Sequence, residues 1–389
     1  MIERPLYKME FNPNSKPSKG HSGLWYERFF NGYDDKWSVD TDAKSRWIKS
    51  VTGECGQLDQ LRSSAQNRIS LLDNLGGCWG TFQSNWHFAT GLGLPHPIEN
   101  GFAWHPTLGV PYLPGASVKG LVRSWVESWD ESLDEAQRKE RLYRWFGTDS
   151  KDPKAQDEAM PMTTGGFIFF DAAPIVPATL GPDIMTPHMG KWYEKGDKDP
   201  MDPETMPGDW HDPVPVSFLV VEKATLLFSI APRSAAMAED LELVWEALIN
   251  ALEWLGAGAK TAVGYGRFDR DESAEKPFRS LLEGKRKEAE QRKIEAVEKA
   301  ARATRSPLQN EMDDLIKKGG DAVAQLRNKL LKGDWLDAAP EDRLAVAQKI
   351  KAIQEGEGNW MPTSKKKKKE KKKCDQVQQV IDLGGRVEE

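Results

Sequence analysis

Residues 241–268 read LELVWEALINALEWLGAGAKTAVGYGRF. Leu241, Val244, Trp245, Leu248, Leu252 and Leu255 recur at three- and four-residue spacing, the signature of an amphipathic helix. Gly256 ends that pattern, and GAGAKTAVGYGRF (Gly256–Phe268) reads as a glycine-rich loop running into a strand. Upstream, PVSFLVVEKATLLFSIAP (215–232) is one long strand or a hairpin turning near Glu222–Ala224. GFIFFDAAP (Gly166–Pro174) is an apolar run bounded by glycine and proline, a buried strand. In LPGASVKGLVR and the residues after it, Val118, Leu121, Val122, Trp125 and Trp129 form one apolar stripe, so a helix begins there, capped by Gly115 or Ser117. The segment Gly76–Gly115 is dense in Gly, Pro, Trp and His and reads as short strands and tight turns.

The order strand, helix, strand, excursion, strand, helix, glycine loop, strand fits one β-α-β-β-α-β unit. The expected fold is α+β, a ferredoxin-like (RRM-like) core with a long inserted loop and helical N- and C-terminal extensions. Residues 175–215 hold eight prolines and little periodicity, an irregular insertion of the kind that is functional or disordered. The expected divisions are an N-terminal arm and helices over 1–75, the core over 76–275, a charged helical extension over 276–360 and a Lys-rich disordered tail over 361–389. The first 24 residues read as a mobile arm. The tail carries KKKKKEKKK at 365–373, a solubilising run with salt-dependent attraction to phosphate.

The chain has 389 residues, 39% of them hydrophobic, and a net charge of −6. The charge is unevenly spread, +6 over residues 285–389 and −12 over 1–284. Three cysteines without a CxxC pair exclude a disulfide framework and suit a reducing, cytoplasmic compartment. No signal-peptide core and no apolar run of about 18 residues is present, so no membrane role is expected.

The glycine loop is not a nucleotide-triphosphate loop. A P-loop requires glycines where this chain has Trp254 and Ala259, and it leaves a strand for a helix rather than the reverse. The dinucleotide fingerprint fails at Thr261. What remains is a loop whose glycines allow positive φ and whose N–H groups can form an anion nest. Lys260, Thr261, Tyr265 and Arg267 add two charges, a hydroxyl and an aromatic ring beside Gly256 and Gly258, the chemistry of a sequence-indifferent grip on a nucleic-acid backbone. A purely structural turn with Tyr265 packed beneath it is the competing reading. Lys119 and Arg123, four residues apart, share a helix face with Gly120 between them, either a phosphate seat or a solvated face with Arg123 paired to Glu127.

Support for catalysis is thin. The six histidines show no metal-binding spacing, and no metal or other cofactor is expected. His188, inside the insertion, is a candidate general base for ribose 2′-hydroxyl attack or a stacking residue. Asp171 reads as a structural acceptor. Trp192 and Trp210 in the insertion are the tryptophans expected to stand exposed.

LPGASVKGLVR, FDAAP and GAGAKTAVGYGRF, in that order, resemble the RAMP superfamily of CRISPR-associated RNA-binding proteins. GLGLPHPIENGFAWHPTLGVPY, DIMTPHMGKWYEKGD and DPVPVSFLVVEKATLLFSIAPR narrow the resemblance to the sixth RAMP subunit of type III-B effector complexes, over roughly residues 75–270. The resemblance implies a RAMP fold and a non-catalytic subunit of an antiviral interference complex, capping the crRNA 3′-end side of the backbone. It implies crRNA and target RNA as ligands, with other RAMP subunits and the small helical subunit as partners. Lys119, Gly120, Arg123, Gly256, Gly258, Lys260, Thr261, Tyr265, Arg267 and His188 are the RNA-binding candidates, and residues 175–215 would form a thumb. The rival expectation is a metal-independent RAMP endoribonuclease that processes precursor crRNA. A side chain at Gly258 is expected to damage RNA binding more than folding.

Overall fold

The computed structural model describes residues 16–148, 163–187, 189–196, 198–199, 201–203, 205–206, 211, 213–319, 321–332, 335–360 and 368–386. They divide into two units, one ending at Leu282 and one starting at Glu283.

The first unit opens with α1 (Ser22–Arg28), α2 (Thr41–Lys49), β1 (Gly53–Cys55) and α3 (Leu58–Leu75). Then follow β2 (Cys78–Ser84), α4 (Gly115–Ser128), α5 (Glu135–Phe146), β3 (Phe167–Phe169), β4 (Ala173–Pro174) and β5 (Ala178–Met185). The last elements are α6 (Gly190–Lys195), β6 (Val216–Lys223), β7 (Thr225–Pro232), α7 (Leu241–Trp254), β8 (Phe268–Arg270) and the start of α8 (Glu272–Thr304).

The main sheet runs β3-β7-β2-β8 with all neighbours antiparallel, and β4 also pairs with β7. With α4 after β2 and α7 after β7, this is the β-α-β-β-α-β order expected of a ferredoxin-like core. The sequence TLLFSIAP of β7 is apolar throughout because both its faces are covered. Leu226, Phe228 and Ile230 pack with Val118, Val122 and Val126 of α4 and with Val244, Leu248 and Leu252 of α7. Leu227, on the other face, meets Ala65 and Ile69 of α3 and Phe278 of α8.

Three expectations change. The run 215–232 is not a hairpin. Its halves join different sheets, β7 the main one and β6 a second sheet ordered β1-β5-β6. The insertion 175–215 is not irregular throughout, because residues 178–185 form β5, paired along its length with β6. The N-terminal segment is not a separate arm in residues 16–24. Ser22 begins α1, and Trp25 and Tyr26 enter the main core with Trp47 of α2.

GFIFFDAAP is broken into two strands. Phe169 faces Ile230 and Ala173 faces Leu227, so three residues oppose two, which is a β-bulge. The bulge carries Asp171, whose Oδ1 accepts from the Gly115 N–H at 2.6 Å. Neither Gly115 nor Ser117 caps α4. Its N-cap residue is Pro114, which makes no side-chain bond, and a carboxylate from the sheet takes that place.

In the second unit α9 (Pro307–Lys318), α10 (Ala322–Lys332), α11 (Pro340–Gly356) and α12 (Lys368–Asp382) follow α8. Leu308, Met312, Leu326, Leu330, Trp335, Val346, Ile350, Val377 and Val380 form its core. The disordered tail expected over 361–389 is therefore corrected for 368–382, where α12 buries Cys374, Val377 and Val380. Residues 361–367, with the start of the lysine run, lie outside the described residues.

Asp171→Ala is expected to destabilise the protein by about 1 kcal/mol or more through loss of the α4 cap. Asp171→Asn, which keeps an acceptor, should recover much of it. Urea unfolding followed by tryptophan fluorescence measures both.

Candidate nucleic-acid interface

Two features of the main sheet position the glycine loop. The first is α7, which delivers Gly256 at its C-terminus. The second is the chain beyond β2, where Phe88 bridges to Val221 of β6 and Ala89 bridges to Ala259 of the loop. The loop is closed by one backbone bond of its own and tied by two more to the chain beyond β2. The Ala257 N–H donates to the Gly266 carbonyl at 2.7 Å, Gly266 N–H to His87 at 2.8 Å and Ala259 N–H to Ala89 at 2.8 Å. The expected positive φ occurs at Gly256, Gly258, Gly264 and Gly266, from 73° to 96°, and Lys260 joins them at 61°. Those internal bonds revise the anion-nest reading, since the N–H groups of Ala257, Ala259 and Gly266 are already engaged.

One side of the loop faces α4 across a groove of about 770 Å³. Gly256, Gly258, Thr261 and Arg267 line it, as do Thr90 and, from α4, Ser117, Leu121 and Ser124. Trp129 and Trp254, 57% and 59% exposed, line it too. The two sequence motifs thus meet, but not through the basic residues of α4. The Lys119 ammonium donates to the Phe146 carbonyl at the end of α5, 2.8 Å away. Burial, with Arg123 and Arg233 nearby, pushes its pKa below the usual lysine range. Arg123 lies 3.7 Å from Glu127, the solvated pairing. Gly120 is exposed, and a Cβ there would meet nothing within 4 Å, so internal packing does not call for glycine at that position.

The other side of the loop holds a cluster that sequence reasoning missed. Asp183 of β5 accepts from the Tyr265 hydroxyl and lies 3.2 Å from His87 Nδ1. Burial opposes ionisation of Asp183, but hydrogen bonds from Tyr265, the Ile184 N–H and His87 outweigh it and hold the carboxyl below its usual range. Burial and the adjacent Asp183 raise the Tyr265 phenol well above its ordinary value. Tyr265 is 5% exposed and packs with Ala89, Phe218 and Val220, so it underpins the loop instead of offering a free ring. Lys260 lies over Phe218 and Tyr265, 5.3 and 5.9 Å from the ring centres, and has no carboxylate partner among the described residues. Arg267 is exposed.

His188 and Trp210 lie outside the described residues, and Trp192 is half-buried. Among the described residues no group of acidic, His or Cys side chains could hold a metal ion. No described helix is long and apolar enough to cross a membrane. Trp129 escaped the sequence reading because the stripe placed it on the buried face, whereas α4 ends at Ser128. Asp183 gave no signal within a proline-rich stretch.

Residues 80–269 match the RAMP superfamily model. A curated relative, the CRISPR system Cmr subunit Cmr6 of Pyrococcus furiosus, is 31% identical over 247 residues, 52% of this chain and 70% of the relative. Among solved structures, a chain of the type III-B Cmr-beta complex bound to cognate target RNA aligns over 64% of this chain and 79% of its own, at 20% identity and a TM-score of 0.41. The crystal structure of Pyrococcus furiosus Cmr6 aligns over 50% of this chain and 98% of its own, at 26% identity and a TM-score of 0.31. The chain belongs to the RAMP superfamily and, within it, to the Cmr6 family.

The structure reverses the expectation for Gly258. A Cβ there would collide with the Ala89 carbonyl oxygen, whereas one on Gly264 would meet only Trp86, at 3.7 Å. Gly258→Ala should lower the melting temperature clearly, and Gly264→Ala should cost only the left-handed strain of about 1–2 kcal/mol. Asp183→Asn gives a pH signature. The folded pKa of Asp183 is depressed, so its stabilisation is present above about pH 4 and lost as pH falls through the folded value. The variant should be less stable at pH 7, with the gap closing under acid in unfolding curves.

Proposed function

We propose that this protein is a non-catalytic RNA-binding structural subunit of a type III-B CRISPR interference complex. On this reading it acts in the cytoplasm in antiviral defence and caps the crRNA 3′-end side of the complex's backbone. Its ligands are crRNA and target RNA, and its partners are the other RAMP subunits and the small helical subunit. The observation that carries the proposal is the 31% identity to a Cmr subunit across 70% of that relative. The site adds support. A groove lined by glycine backbone, four hydroxyl side chains and Arg267 can follow a phosphate chain without reading bases. Lys260, on the same loop, adds a second cation.

One observation favours the rival, a metal-independent endoribonuclease. His87 is held by Asp183 beside Tyr265 and the Lys260 loop, the kind of assembly that can take a proton from a ribose hydroxyl. Stacking of His87 on Trp86, with ring centres 5.1 Å apart, speaks for a structural role.

Tagged protein recovered from its native cell should carry discrete short RNAs with a shared repeat-derived 5′ tag, together with other RAMP subunits. Lys260→Glu with Arg267→Glu should weaken retention and reduce the salt slope by about 2. Lys119→Ala should act on stability instead. Cleavage of repeat RNA at one site by the purified protein, lost in His87→Ala, would replace this reading with the nuclease.

A further inference from the structure

Trp86 sits two residues beyond β2 and is 49% exposed, and unlike the comparably exposed Trp129 and Trp254 it is stacked on ring neighbours. Its indole lies nearly parallel to the His87 imidazole, 14° between planes and 5.1 Å between centres. The Tyr265 ring is 5.0 Å away and tilted. Neither support is loose. Asp183 bonds both His87 and Tyr265, and the His87 carbonyl accepts from Gly266. Internal packing does not explain why an indole braced this firmly leaves half its surface open.

We infer that Trp86, stacked on His87, is a platform for one unpaired nucleobase of RNA, with Lys260 on the adjoining loop placed for the phosphate of the same nucleotide. This rests on the RNA-binding reading and adds a base contact, on the side of the loop away from the α4 groove. Three observations favour a nucleobase over a side chain of a protein partner. The rings are flat, parallel and rigid, which suits any base face and demands no particular sequence. The cation on this side of the loop, Lys260, lies 5.9 Å from the Tyr265 ring centre and lacks a carboxylate partner among the described residues, so the locality attracts anions. Asp183, the acidic group in contact with His87 and Tyr265, is engaged by three hydrogen bonds from within the protein.

The test is fluorescence-anisotropy titration of the full chain with two probes of equal length, oligouridylate and an abasic ribose-phosphate oligomer. Trp86→Ala should lower affinity for oligouridylate about ten-fold and leave the abasic probe unchanged. Trp86→Phe, which keeps a stacking face, should remain within about three-fold of the parent. Circular dichroism of both variants should match the parent. An unchanged oligouridylate affinity in Trp86→Ala, while Lys260→Glu with Arg267→Glu weakens both probes, would overturn the platform and leave the RNA-binding reading standing. Equal losses on both probes would make Trp86 structural and also overturn it. Loss of another complex subunit with RNA affinity intact would assign Trp86 to a protein contact instead. Parent protein that binds neither probe would remove the RNA-binding reading and the platform with it.

Discussion

Two hydrogen bonds between Ser84 and Ala224 set the geometry on which the rest of this structure depends. The Ser84 N–H donates to the Ala224 carbonyl at 2.9 Å, and the Ala224 N–H donates to Ser84 Oγ at 3.0 Å. At that point β2 ends and the strand pair β6–β7 changes sheets. β7 stays with β2 in the main sheet, while β6 pairs with β5. Because β6 has left the main sheet, residues 85–89 emerge between it and the glycine loop. Phe88 bridges to one and Ala89 to the other. A small residue at 224 and a hydroxyl at 84 are what the corner requires, since both positions are buried and the polar groups must be paired.

The charges divide along similar lines. An acidic first part of the chain sits awkwardly with a ligand made of phosphates if net charge is the guide. Side-chain placement gives a finer account. Lys119 is committed to the end of α5 and Arg123 to Glu127, so neither basic residue of α4 is held ready for a ligand. Arg144 pairs with Asp240, and Arg270 and Arg279 pair with the buried Glu275. Lys260 and Arg267, without carboxylate partners among the described residues, are left on the glycine loop. A few unpaired cations over a neutral backbone surface make a local site, where a uniformly basic face would attract any polyanion.

How much was legible in the sequence follows from the range of each interaction. Helix α7 and strand β7 show in apolar periodicity because neighbours along the chain share one environment. The glycine loop shows because positive φ is a property of single residues. Strand β5, ATLGPDIM, did not show. Gly181 and Pro182 break its pattern, and it is held by pairing with β6, more than thirty residues on. The same limit hid the His87–Asp183–Tyr265 cluster, whose members come from a post-strand turn, an inserted strand and the loop. Spacing placed Lys119 and Arg123 correctly on one helix face, yet it carries no information about Phe146, the group that takes the first of them. The composition of 361–389 suggested solvation throughout, but Val377 and Val380 recur on the helix face that α12 buries.

The loop is best understood as a thin rigid wall with different chemistry on its two sides. Its glycines are required first by the protein itself. Gly258 passes the Ala89 carbonyl and Gly266 passes the Ala257 carbonyl at distances that leave no room for a side chain. A loop fixed in this way cannot reshape itself around a ligand, so a ligand has to conform to it. That property suits a partner recognised by the regular spacing of its backbone and not by the identity of its bases. It also ties the two sides together, because the groove against α4 and the Trp86–His87 stack share the same short stretch of chain. A change that moves the loop must disturb both at once, whereas a change at Trp86 or at Ser117 can disturb one alone.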